Sequence, residues 1–119
     1  MDTALDGLRI VDLTSGIAGP LCTKMLGDIG ADVIKIENPR GGDNSRNSGP
    51  FFKDDPHPEK SLLFFYLNCN KKSITLDLQT SNGKKILNQL LKDADVLVEN
   101  YSPGYLEQLG FGYEEIRKI

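Results

Sequence analysis

Apolar and polar positions alternate along this chain in blocks that read as strand, turn, helix, strand from the outset. Leu8 to Leu13 (LRIVDL) is a short apolar, β-branched run of the kind that forms a buried strand. The turn TSGIAGP follows, with Gly16, Gly19 and Pro20 as punctuation. Proline suits the first turn of a helix, where its missing N–H costs nothing. Leu21, Met25, Leu26 and Ile29 then recur at helical spacing, Gly30 is placed to end the helix, and Val33 to Glu37 reads as a second strand. The result is a β-turn-α-β unit whose glycine turn sets backbone N–H groups at a helix N-terminus, a natural seat for a phosphate or a carbonyl oxygen.

Further along, Asn38 to Lys60 is an irregular stretch rich in Pro and Gly, and long loops inside compact domains are usually functional or mobile. Ser61 is placed to cap a short helix over Leu62 to Leu67, although that run also fits a strand. Asn68 to Lys72 is a polar turn, and Ser73 to Leu78 alternates as a strand does. Thr80 or Ser81 caps a helix with an apolar face of Ile86, Leu87, Leu90, Leu91 and Ala94. Val96 to Glu99 is a fourth strand, then come a Pro103-Gly104 turn, a short helix to Leu109 and a last segment, Tyr113 to Ile119, that reads as a helix entered and not completed. Strands alternating with helices predict an α/β fold, Rossmann-like, with a mostly parallel sheet and flanking helices. The unfinished last segment suggests that residues 1–119 are part of a larger domain.

Composition adds exclusions. A chain of 119 residues can bury a core of its own. A net charge of −3 and a pI near 5.1 argue against a nucleic-acid surface, because there is no basic excess to displace phosphate counterions. Cys22 and Cys69 are too few for a disulfide scaffold and form no CxxC pair, so they are expected to be reduced and mostly buried. The N-terminus lacks the basic segment of a signal peptide, and no apolar run approaches the roughly 18 residues of a membrane span, which together predict a soluble, cytoplasmic protein.

Candidate chemistry gathers at the strand ends. The glycine turn and Glu37 evoke dinucleotide binding, but SGIAGP lacks the three-glycine spacing and Pro20 removes one N–H. His57 stands alone between two prolines, so no metal site is expected. Ser15 and Ser73 lack a nucleophile-elbow context, and Asp54 and Asp55 read as solvated charge. Asp43 and Arg46, three apart, are spaced to pair with each other at the surface. The lysines of NCNKKS are candidates for holding an anion or for plain solvation. Ligands of open α/β sheets sit at the carboxyl ends of strands, where the turn after Leu13, Glu37 to Asn38, Leu76 to Gln79 and Asn100 to Ser102 all fall. Tyr101 could stack on a purine, with Asn100 and Ser102 supplying hydrogen bonds, so the strand ends outline one nucleotide-sized crevice.

The segments LDGLRIVDLTSGIAGPLCTKMLGDIGADVIKIENPRGGDNSR, NCNKKSITLDL, DADVLVENYSPG and LGFGYEEI resemble, in order and over essentially the whole chain, the N-terminal part of the family III CoA-transferases. That family includes formyl-CoA and succinyl-CoA transferases and α-methylacyl-CoA racemases. The resemblance implies an acyl-CoA:carboxylate CoA-transferase in which an aspartate attacks the thioester to give an acyl anhydride and free CoA thiolate. It also implies CoA or acyl-CoA as substrate with no tightly bound cofactor, a carboxylic acid acceptor, an interlocked homodimer, and no nucleic-acid or membrane partner. Ile17 and Ala18 match turn residues lining the thiol end of CoA. Asn38, Leu76, Asp77, Leu78, Gln79, Asn100, Tyr101, Ser102 and Gln108 match segments that contact its nucleotide half.

The departures from the family are specific. Transferases commonly have glutamine where Ile17 stands, and racemases more often an apolar residue. Arginine is frequent where Asn38, Ser102 and Gln108 stand, so the phosphates are expected to lean on backbone N–H groups, Arg40 or Lys72. Each lost charge-assisted contact weakens CoA binding by about 1.5–3 kcal/mol. The family's nucleophilic aspartate has no counterpart in this chain, so no catalytic residue is expected within it. An acyl-CoA racemase and a noncatalytic CoA- or nucleotide-binding module remain the alternatives.

Overall fold

The computed structural model describes residues 2–119. Its strands are β1 (Arg9–Asp12), β2 (Asp32–Glu37), β3 (Lys71–Thr75) and β4 (Val96–Val98). Helices α1 (Ala18–Asp28), α2 (Leu62–Leu67), α3 (Ser81–Lys92), α4 (Tyr105–Leu109) and α5 (Tyr113–Ile116) lie between and after them, with short 3-10 turns at Asn44–Asn47 and Phe52–Asp54. The four strands form one sheet in the order β3-β2-β1-β4, every pair parallel. This is the expected α/β fold with flanking helices, and the inner strand β1 is buried from Ile10 to Asp12. Among the described residues no helix is long and apolar enough to cross a membrane.

Register divides the sheet into two chemically different faces. Val11 lies beside Ile34 and Leu97, and Ile36 beside Ile74, so these side chains share one face. That face packs with Leu87 and Leu91 of α3, Leu106 of α4 and Phe111 into the larger core. The opposite face begins apolar, with Ile10 and Val33 packed against Ala31 and Leu26 of α1. It then turns ionic toward the strand ends, where Asp12 lies beside Lys35. Both of those residues are buried.

Local signals set the element ends. Pro20 is the third residue of α1, inside its first turn. The Ser61 side chain accepts the Phe64 N–H and starts α2 as a helix, and the Thr80 side chain accepts the Gly83 N–H and starts α3. Three expectations are corrected. The third strand runs from Lys71 to Thr75 rather than from Ser73 to Leu78, because Asp77 folds the chain back, accepting the Gln79 N–H on its carboxylate and the Thr80 N–H on its carbonyl. Ile86 is exposed, while Leu87 and Leu91 carry the buried face of α3. Cys22 and Cys69 are free thiols but exposed, on the outer side of α1 and just past α2.

Candidate functional site

The turn after β1 is held in place by buried charge. Asp12 accepts the Thr14 N–H at 2.8 Å on one oxygen, and the Thr23 hydroxyl at 2.6 Å and Lys71 Nζ at 3.0 Å on the other. Lys71 spends its other two protons on the Pro20 carbonyl and the Asn68 side chain. Lys35 donates to the Thr14 carbonyl at 3.0 Å and to Asp43 at 2.7 Å. Asp43 in turn accepts the Gly16 N–H and both the N–H and the hydroxyl of Ser45. Among the described residues no buried side-chain nitrogen or oxygen lacks a partner. A fully satisfied network of this kind specifies one geometry for the backbone it holds.

Glycine completes the turn at two positions. Gly16 has φ +89°, in the left-handed region, and a Cβ on Gly19 would come within 2.5 Å of the Thr14 side chain. Burial pulls the Lys71 ammonium below the ordinary lysine range, more than the Asp12 carboxylate restores, and the Lys35 charge adds to the effect. Burial pushes the Asp43 carboxyl upward, but the Lys35 hydrogen bond and the Gly16 and Ser45 N–H groups outweigh it and hold the group below 3.8.

Beside this turn, at the carboxyl ends of the strands, lies a cleft of about 380 Å³. Its walls are Leu13 to Ser15, Ile36 to Asn38, Gly42 to Asn44 and Asn100 to Ser102. A smaller recess of about 70 Å³ shares Ile36 to Asn38 and Tyr101, and adds Leu76 to Gln79 and Tyr105. Asn100 ties the two ends of the cleft together: its side-chain oxygen accepts the Ser15 N–H at 3.0 Å and its amide donates to the Ser15 carbonyl at 2.7 Å. The Tyr101 and Tyr105 rings meet with centroids 4.8 Å apart. Burial, with Tyr105 and Glu99 nearby, raises the Tyr101 phenol above its usual value of 10.0.

Asn38, Leu76, Asp77, Leu78, Gln79, Asn100, Tyr101 and Ser102 therefore share one crevice and its recess. Ile17 and Ala18 sit exposed at the start of α1, one residue past the Gly16 N–H that Asp43 holds. Gln108 is exposed on α4 and lines neither cavity. Asp43 and Arg46 do not pair with each other. Asp43 goes to Lys35, while Arg46 binds Glu37 at 3.1 Å and stacks its guanidinium 3.8 Å from the Phe64 ring centroid. The lysines of NCNKKS are also committed, Lys71 to Asp12 and Lys72 to Asp32. Sequence reasoning named Glu37, Asp43 and Arg46 but missed Lys35 and the pairings Lys35–Asp43 and Glu37–Arg46; the one available signal was a lysine inside the apolar run Val33 to Ile36.

Every carboxylate that lines the crevice is engaged: Glu37 with Arg46, Asp43 with Lys35, and Asp77 with Arg40. Among the described residues no three His, Cys, Asp or Glu side chains cluster to hold a metal ion. The arrangement offers a tyrosine pair and shape, with the Thr14, Ser15, Asn44 and Tyr101 N–H groups on its walls already bonded within the chain.

The sequence model of CoA-transferase family III matches residues 5–119. The chain belongs to this family. It is 48% identical over 119 residues to a formyl-CoA:oxalate CoA-transferase of Afipia carboxidovorans and 49% identical to one of Rhodopseudomonas palustris, covering all of this chain and 27% of each relative. A solved CAIB/BAIF family protein from Brucella suis superposes with a TM-score of 0.88 at 41% identity, over 99% of this chain and 31% of that one. A hypothetical protein from Mycobacterium tuberculosis gives 0.85 at 38% identity, over 98% of this chain and 30% of the other. The chain thus spans about a quarter of the length of the curated relatives it matches.

Proposed function

We propose that this chain is the N-terminal, CoA-binding part of an acyl-CoA:carboxylate CoA-transferase, with the nucleophilic aspartate of the anhydride mechanism outside these 119 residues. The observation that carries the proposal is the crevice. It unites Asn38, Leu76 to Gln79 and Asn100 to Ser102, while its own carboxylates are all engaged in ion pairs. In this reading the nucleotide half of CoA lies along the strand ends, with Tyr101 against the base. The thiol end approaches Ile17 and Ala18, just past the turn whose Thr14, Ser15 and Gly16 N–H groups are held by Asp12, Asn100 and Asp43. The complete protein acts in the cytoplasm as an interlocked homodimer, and formyl-CoA with oxalate is the first donor and acceptor pair to try, by likeness to the named relatives.

The test is a fusion in which this chain replaces the matching segment of the Afipia carboxidovorans enzyme. Expected is a folded protein that binds CoA and moves it from formyl-CoA to oxalate. A folded fusion that binds no CoA would sink the proposal, and one that binds CoA without transfer would mark a binding module. One observation favours a racemase instead: Ile17, apolar and exposed, stands at the turn. Solvent deuterium entering the α-carbon of a 2-methylacyl-CoA, with no transfer to any acid, would decide for that reading.

A further inference from the structure

Three acid–base pairs surround the crevice, and they differ in what they can give up. The side chains of Lys35 and Asp43 are 1% and 0% exposed, and those of Arg46 and Glu37 are 13% and 5% exposed. Pulling either cation toward a ligand would leave a buried carboxylate unpaired, which is strongly unfavourable. The third pair is Arg40 with Asp77, 2.9 Å apart, in which the arginine side chain is 69% exposed and the aspartate 16%. With its cation mostly in water the pair is screened and contributes little, so the guanidinium is free to change partner. Asp77 would not be orphaned, because its other oxygen keeps the Gln79 N–H at 3.0 Å.

Position agrees with chemistry. The Arg40 backbone N–H donates to the Asn38 side chain, and its guanidinium spans to Asp77, so the residue bridges the β2 and β3 sides of the small recess. Among the described residues it is the one lysine or arginine whose charged end is both mostly exposed and hydrogen-bonded to a residue lining the crevice or its recess. Lys72, the other sequence candidate, pairs with Asp32, which lies beside Arg9 at the opposite end of the sheet.

We propose that Arg40 is a phosphate-binding residue, exchanging Asp77 for a phosphate of the CoA nucleotide when the ligand enters the recess. The planar guanidinium suits two phosphate oxygens at once, which an ammonium does not. Asp77 then acts as a placeholder that keeps Arg40 aimed at the recess and repels the incoming anion, so the two residues have opposite effects on affinity. The proposal rests on the CoA reading above.

Calorimetric titration of the 119-residue chain, and in parallel of the fusion, with CoA, 3′-dephospho-CoA and pantetheine tests it. Arg40→Ala is expected to weaken CoA roughly 10- to 100-fold, with Arg40→Lys recovering only part, while Asp77→Asn tightens CoA about twofold or more. Pantetheine binding should not change. Persistence of the Arg40→Ala loss with 3′-dephospho-CoA assigns the contact to the pyrophosphate, and its disappearance assigns it to the 3′-phosphate. Wild-type binding with Arg40→Ala unchanged, or an equal loss with pantetheine, overturns the proposal and leaves the CoA reading standing. Wild type that binds no CoA overturns both.

Discussion

Two ion pairs flank the same crevice, and their nearly equal lengths conceal opposite roles. Lys35 meets Asp43 at 2.7 Å with both side chains out of water, and Arg40 meets Asp77 at 2.9 Å with most of the arginine in water. The first ties the glycine turn to the loop after β2, because Asp43 also holds the Gly16 N–H and Lys35 also holds the Thr14 carbonyl. Its value lies in specifying one backbone arrangement, since a buried pair recovers little net energy after desolvation. The second gives neither much stability nor much order, which makes it exchangeable. Burial, more than distance, decides whether an ion pair here is a fastener or a contact on offer.

The sharpest way to break this contrast is to remove one member of the buried pair. Lys35→Met leaves Asp43 charged, desolvated and short of one partner, and should cost about 3 kcal/mol of unfolding free energy by urea titration. Adding Asp43→Asn should return part of that loss. The amide oxygen can still accept from Gly16 and Ser45, and a buried charge without its partner no longer exists. A double variant as unstable as the sum of the two single ones would show that the pair is not coupled.

A milder effect follows from protonation. Asp43 is held below 3.8 in the folded chain, so the unfolded chain binds its proton first as pH falls. The stabilisation it supplies is complete above that unfolded value and fades as pH drops through the lower folded one. Melting temperature measured from pH 6 downward should therefore fall more steeply for the wild type than for Asp43→Asn, with the divergence confined to the acid end. Parallel curves would mean that the ionised carboxylate is not what secures the turn.

Much of this architecture could be read from the residues. Three of the four strands fall on the apolar runs at Leu8, Val33 and Val96, and of the caps expected at Ser61 and at Thr80 or Ser81 the structure uses Ser61 and Thr80. The crevice was legible because ligands of parallel sheets gather at strand carboxyl ends, and Asn38, Leu76 to Gln79 and Asn100 to Ser102 had to fall there once the strands were placed. The ionic layer was not legible, and the reason is periodicity. In DVIKIE the residues Val33, Lys35 and Glu37 share a face, and polar residues at alternate positions ordinarily signal solvent. Here Lys35 and Glu37 lie under the glycine turn and the loop after β2, and their partners Asp43 and Arg46 come from that loop, where no short-range rule points. Asp43 and Arg46 look like partners because they are three apart; the charges they meet are on β2 instead. The cysteines fail for a related reason: thiols are usually buried, but Cys22 and Cys69 lie on outer surfaces of the α1–α2 side.

The smallest expected effect tests the exchangeable pair. Arg40→Ala removes an exposed contact and no packing that the fold depends on, so unfolding free energy should move by less than about 0.5 kcal/mol. For a chain of this size that is a melting shift of roughly 2–4 °C or less. The same substitution is expected to produce the large loss in CoA affinity, whereas Lys35→Met is expected to cost stability first and binding only through the displaced turn. The two variants should therefore separate on a plot of affinity against stability, Arg40→Ala far down the affinity axis at nearly wild-type stability. Were Arg40→Ala to fall on the line set by the destabilised variants, its guanidinium would be a fastener after all, and the difference in burial between the two pairs would have no functional meaning.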